Sequence, residues 1–161
     1  MNNFDKYFNK VIALEGGFTL HKNQTEEAQT YAGIYRKVHP TWAGWRAIDV
    51  GSRPDTALVK EFYKEKYWDK FDGIDNEKRY ILFEYGVNAG VFKAAKLAQA
   101  VCGITIDGVI GDKSRAAINS TDNFVLLYTV ARIKHYNDLA AKDKYRPYLR
   151  GWINRALEAV S

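Results

Sequence analysis

The sequence predicts a mainly α-helical protein with a small irregular β-hairpin or loop after its first helix. Two observations carry that reading. Apolar residues recur at helical spacing in one segment after another, and a single polar stretch, residues 19 to 33, interrupts them. The 161 residues suit one compact domain, or a domain with a small appended lobe, and the 47% hydrophobic and 14% aromatic content is ample for a core.

The first helix is the clearest. Phe4, Tyr7, Phe8, Val11 and Ile12 fall at i, i+3, i+4, i+7 and i+8, the apolar stripe of a helix packed on a core. Gly16 and Gly17 stop it, because glycine best accepts the left-handed conformation just past a helix end. Glu15 is thereby set at the helix C-terminus, where the last carbonyls carry the negative end of the dipole. Dipole, partial burial and the scarcity of nearby cations favour its protonated form, the form a general acid needs. An ordinary capped helix end has the same local sequence. Residues 19 to 33 follow as loop or irregular hairpin, with Thr30 to Ile34 as the returning strand.

Residues 35 to 53 contain Trp42 and Trp45 and are broken by Pro40, Gly44 and Gly51, which predicts a short helix and then loop. The two tryptophans suit either a core or a sugar cleft. Pro54 opens a helix running to Phe71, with Leu58, Val59, Phe62, Tyr63 and Tyr67 on its buried side. Residues 75 to 88 are apolar nearly all round, which marks a central buried helix broken at Asn88-Ala89-Gly90. A helix over Lys93 to Val101 and a turn at Asp107-Gly108 come next. A short helix capped by Asp112 follows, then a long one capped by Asp122 with Phe124, Leu127, Tyr128 and Ala131 at helical spacing. The last helix, from about Pro147, is expected to bury Trp152, Ile153, Ala156, Leu157 and Val160.

Several short motifs, taken in order, resemble one family. Leu14-Glu15-Gly16-Gly17-Phe18, Thr30-Tyr31-Ala32-Gly33-Ile34, Tyr67-Trp68 and Phe83-Glu84-Tyr85-Gly86-Val87-Asn88-Ala89-Gly90 resemble the glycoside hydrolase family 108 muramidases. Ile106-Asp107-Gly108-Val109-Ile110-Gly111 and Arg150-Gly151-Trp152-Ile153-Asn154-Arg155 resemble that family's peptidoglycan-binding segment. The resemblance implies a lysozyme-like fold over 1–161, with a catalytic segment at 1–90 and a helical peptidoglycan-binding-like segment at 91–161 packed on it. It implies Glu15 as catalytic acid and Thr30, fifteen residues on, as the residue that places the attacking water. Tyr31, Tyr67, Trp68 and Asn88 are expected to shape the substrate cleft, and Gln24 to help place the water or hold the substrate. The sequence departs from the pattern at Gln24, where phage-type lysozymes usually carry an aspartate, and in lacking the family's Asp-Pro-Gly-Gly stretch. Three readings of the second carboxylate stand open: Glu26 or Glu27 serves, none is used, or the site only binds.

Other chemistries lack their signatures. There is no Gly-rich phosphate loop, no zinc-ligand spacing and no Gly-x-Ser-x-Gly elbow, so neither cofactor nor metal is expected. Cys102 is the only cysteine and excludes an intramolecular disulfide. The net charge of +5 favours polyanionic partners, and basic helices alone are weak grounds for a nucleic-acid binder. No apolar run is long enough to span a bilayer, and no apolar signal segment follows Met1. The expectation is a monomer made in the cytoplasm, binding bacterial peptidoglycan and no nucleic acid, released by a holin or a secretion machine. Phage lysis and a secreted bacterial effector both fit. Its activity is expected to be muramidase. A lytic transglycosylase and a non-catalytic wall-binding protein on the same fold are the alternatives.

Overall fold

The apolar stripe near the N-terminus forms α1 (Asn3–Leu14), which buries Phe4, Tyr7, Phe8, Val11 and Ile12 as its spacing requires. The computed structural model describes residues 3–22 and 27–160, and these pack into two compact units that divide between Lys66 and Tyr67. Among the described residues there are eight α-helices and one three-stranded sheet, and no helix is long and apolar enough to cross a membrane.

In the first unit α1 ends in a Schellman motif. The Gly17 N–H donates to the Ile12 carbonyl at 2.8 Å and the Gly16 N–H to Ala13 at 3.2 Å, with φ of +83° and +73° at the two glycines. The chain then forms an antiparallel sheet of β1 (Leu20–His21), β2 (Thr30–Tyr31) and β3 (Ile34–Tyr35). Thr30 to Ile34 is therefore not one returning strand. It folds back on itself as a hairpin, with Tyr31 paired to Ile34 and φ of +47° at Ala32 and +76° at Gly33. Positive φ at both central residues is the mark of a type I′ turn, whose twist matches that of the strands.

After β3 come α2 (Trp45–Asp49) and α3 (Thr56–Lys66), which buries Val59, Phe62 and Tyr63. The Tyr63 ring meets the Phe8 ring edge-on at 5.7 Å, and Lys60 pairs with Asp5 at 2.9 Å. The expected helix from Pro54 to Phe71 is shorter at both ends. Asp55, not Pro54, caps its start by accepting the Ala57 N–H at 2.8 Å. At Tyr67 the backbone leaves the helical region (φ −129°, ψ −56°), and a separate 3-10 turn spans Trp68–Phe71.

The second unit is built on α4 (Asn76–Ala89), in which every residue from Tyr80 to Gly86 is buried. Around it lie α5 (Val91–Val101), α6 (Asp112–Ser120), α7 (Phe124–Ala140) and α8 (Leu149–Glu158). Phe71, Ile81, Leu82, Tyr85, Ala98, Ile118, Phe124 and Tyr128 form its core. The buried Gln99 side chain closes the Asp107-Gly108 turn, accepting the Gly108 N–H at 2.8 Å and donating to Asp107 at 2.7 Å.

Several expected ends move. Asp112 is the first residue of α6 and pairs with Arg115, while Gly111 precedes it. Asn123, left-handed at φ +55°, and not Asp122, precedes α7. A 3-10 turn over Asp143–Tyr148 holds Pro147, so α8 starts at Leu149. The buried face of α7 is Phe124, Tyr128, Thr129, Arg132 and Tyr136, with Leu127 45% exposed. In α8 Ala156 is buried, Trp152 and Ile153 are half-buried and Leu157 is exposed, as is Val160 just past its end, because this short amphipathic helix lies at the edge of its unit's core.

Candidate active site

Glu15 is the C-cap residue of α1, half-buried, and the Schellman glycines fix the direction in which its side chain leaves the helix. The hairpin turn comes up against that carboxylate. A Cβ built on Gly33 would lie 3.0 Å from Glu15 Oε2, 3.2 Å from its Cγ and 2.4 Å from the Tyr63 hydroxyl. Only a residue without a side chain fits between them, and φ of +76° asks for glycine independently. The Tyr63 hydroxyl donates to the Ala32 carbonyl at 2.8 Å, and the Ala32 N–H donates to the Thr19 carbonyl at 3.2 Å. These two bonds hold Ala32, a fully buried non-glycine residue, in the left-handed region.

Thr30 and Tyr31 are buried on the strand that leads into this turn. The Tyr31 ring stacks on Trp42 at 6.1 Å and 23°, and Trp42 stands edge-on to the buried Trp45 at 5.1 Å. Trp45 donates to the His39 carbonyl at 2.7 Å and carries the Arg36 guanidinium over its ring at 5.1 Å. Arg36 is held there by a bidentate pair with Asp49 at 2.7 and 2.8 Å, and those hydrogen bonds keep the Asp49 carboxyl below the usual carboxylate range.

Two grooves open on this unit. One of about 350 Å³ is lined by Phe18, Thr19, Leu20, Tyr31, Ile48 and Arg53, so it starts three residues after Glu15 and includes the strand next to the turn. The other, about 280 Å³, lies along Trp42, His39, Phe62, Glu61 and Glu65. Burial and then the nearby Lys66 charge hold His39 below its ordinary value, favouring the neutral ring that packs edge-on to Phe62 at 4.8 Å.

Of the expected site residues, the structure places Glu15, Thr30 and Tyr31 at one hairpin. Gln24 and Glu26 lie outside the described residues. The Glu27 carboxylate is exposed and pairs with Lys37. Tyr67, Trp68 and Asn88 belong to the second unit. Tyr67 is half-buried at the break before the 3-10 turn. Trp68 is buried, edge-on to Phe83 at 5.5 Å under the Arg79 guanidinium at 4.2 Å, which makes its ring part of a packed core.

Asn88 ends a directed chain of hydrogen bonds. Glu84, fully buried on α4, is paired with Arg132 and Arg155. The Arg132 Nε donates to the Tyr136 hydroxyl oxygen at 2.7 Å. Arginine has no acceptor, so the tyrosine proton goes on to Asn88 Oδ1 at 3.0 Å. That bond fixes the amide and leaves Nδ2, on an exposed residue, as a donor. Sequence reasoning missed Gly33, Ala32 and Tyr63 as parts of the site. The one local signal was a tyrosine where the buried face of α3 accepts phenylalanine, since a buried hydroxyl needs a partner.

The family model for Glycosyl hydrolase 108 matches residues 8–90, just over half of the chain, and that for Predicted Peptidoglycan domain matches residues 93–157. Among solved structures, SagA of Brucella abortus is similar with a TM-score of 0.75 and 23% identity, over 97% of this chain and 90% of that one. At that identity the likeness establishes the fold. No curated protein matches.

Proposed function

The chain belongs to the glycosyl hydrolase 108 family, and on that premise we propose that it is an N-acetylmuramidase. Membership in this family, joined to a peptidoglycan domain, makes it a lysozyme-like peptidoglycan hydrolase. The finer reading is that it cuts the β-1,4 bond between N-acetylmuramic acid and N-acetylglucosamine. The observation that carries it is the Glu15 carboxylate set against the tip of the Ala32-Gly33 turn, in the unit that also carries the groove lined by Phe18 and Tyr31.

In this reading Glu15 donates its proton to the glycosidic oxygen as the C1–O bond breaks. Water, oriented by Thr30 from the strand beside the turn, then attacks C1 and gives up a proton to the Glu15 carboxylate left by the first step. Phe18 and Tyr31, which line the first groove, offer apolar contacts to the sugar rings. Gln24 supplies a further polar contact. The protein acts at the bacterial wall, released there by a holin or a secretion machine, in phage lysis or as an effector.

The pairing of Glu27 with Lys37 favours a second reading. If Glu15 is the sole working carboxylate, it acts first as acid and then as base. It takes the proton of the muramic C6 hydroxyl as that oxygen closes on C1, which leaves a 1,6-anhydro end and consumes no water. Mass spectrometry of fragments from purified Gram-negative peptidoglycan separates the two. Reducing muramic ends from the wild type and none from Glu15→Gln are the expected result. Anhydro ends identify a transglycosylase, and undiminished release by Glu15→Gln overturns the role given to Glu15.

A further inference from the structure

The second unit has a pocket of about 250 Å³ lined by Tyr85, Lys93, Lys96, Leu97 and His135. It is formed by α4, α5 and α7, and four of its five lining residues fall within the segment matched by the peptidoglycan domain. Lys93 and Lys96 stand one helical turn apart on α5, so both reach the same side. Among the described residues neither forms an ion pair with a carboxylate, whereas Arg79, Arg115, Arg132 and Arg155 in the same unit all do. Lys96 rests over the Phe92 ring at 4.6 Å, which steadies its stem without neutralising its charge. His135 adds a ring nitrogen from α7, while Leu97 and the buried Tyr85 make the floor. Tyr85 stays a neutral phenol, since burial above all pushes it up to about 12, so the floor carries no charge against an anion.

This combination is an anion site with an apolar base. Its volume falls below the range of about 300–1,000 Å³ of sites that enclose a whole drug-sized ligand, so it fits one end of a larger molecule. Resting on the reading of peptidoglycan as substrate, the chemistry of that polymer selects which end. The sugars are neutral, and the lactyl acid of muramic acid is consumed in its amide to the peptide. Free carboxylates sit on the stem peptide, next to the small methyl groups of its alanines. We infer that Lys93, Lys96 and His135 bind a stem-peptide carboxylate, with Leu97 and Tyr85 taking the adjacent methyl. The wall is then recognised through its peptide by the second unit, while glycan cleavage belongs to Glu15.

The test uses the full chain carrying Glu15→Gln, so that ligands survive, and isothermal titration with three soluble probes. These are a disaccharide tetrapeptide, the same compound with its carboxylates amidated, and the disaccharide without peptide. Lys93→Ala/Lys96→Ala is expected to weaken tetrapeptide binding about tenfold or more, the scale of one lost charge-assisted contact. Amidation should do the same to the parent, and binding of the bare disaccharide should be unchanged by the substitutions. Lys113→Ala/Lys142→Ala, a charge-matched control from exposed positions, should leave all three affinities alone. Equal affinity of parent and Lys93/Lys96 variant for the tetrapeptide overturns the inference. So does an equal loss in the control pair, or full displacement of the tetrapeptide by millimolar inorganic phosphate. Wall cleavage by the chain with Glu15 intact is scored separately, so failure of the peptide site and failure of the muramidase reading are distinct results.

Discussion

A methyl group at position 33 would stand 2.4 Å from the Tyr63 hydroxyl and 3.0 Å from Glu15 Oε2, so one glycine spaces the carboxylate from the hairpin. Gly33→Ala is expected to cost about 1–2 kcal/mol from its left-handed φ alone, and more from the displaced hydroxyl. Tyr63→Phe takes the donor from the Ala32 carbonyl, which is buried, at about 1–3 kcal/mol. The two changes share one contact. With the hydroxyl gone, the alanine methyl loses its nearest obstacle, so the double variant should cost less than the sum by about 0.5–3 kcal/mol. Denaturant unfolding of the four proteins measures this, and strict additivity would show that the hydroxyl does not press on position 33. Activity should fall further than stability in Gly33→Ala, because Glu15 is the other group that must move.

Between elements, the join from α1 to the hairpin sets where Glu15 points. Gly16 and Gly17 have nothing within 4 Å of an added Cβ, so their need for glycine is conformational and not steric. Gly16→Ala is expected to lower stability by about 1–2 kcal/mol, and Gly16→Asn by less, since asparagine tolerates the left-handed region. Thermal melts of the pair check this; equal melts for alanine and asparagine would mean that the Schellman end does not persist in solution. This join was legible because its signals are local: an apolar stripe and two glycines in sequence. The hairpin or loop after it was legible too, but the tight turn at Ala32-Gly33 was not. Thr30-Tyr31-Ala32-Gly33-Ile34 has the apolar character of a strand, and what bends it at Ala32 is a hydroxyl thirty-one positions away. The same holds for the break at Tyr67, where the helical stripe continues in sequence but the backbone turns aside. Asn88 was legible as a polar residue at a helix break. Its partner, Tyr136, is forty-eight positions on and carries no mark of the pairing.

At the scale of the molecule, each compact unit keeps its own core, and the second is centred on charge as well as on apolar packing. Glu84 and Arg132 are both fully buried, from α4 and α7, and Arg155 of α8 closes on the same carboxylate at 2.5 Å. Burial opposes the charge on Arg132, but Glu84 and the Tyr136 hydroxyl outweigh it and raise the guanidinium above its ordinary value. Such a cluster adds little net stability over an apolar core, yet removing one partner strands a buried charge. Glu84→Gln leaves two arginines facing a neutral amide and is expected to destabilise the second unit by about 3–5 kcal/mol. Hydrogen exchange locates the loss. Amides of α4, α7 and α8 should exchange faster, while those of α1 and α3 keep their protection, because the first unit draws on Phe8, Val11, Phe62 and Tyr63 instead. Equal acceleration in both sets would mean that the two units unfold as one. The same variant frees Arg132 from its carboxylate and with it the Tyr136 hydroxyl, so the Asn88 amide loses its fixed orientation.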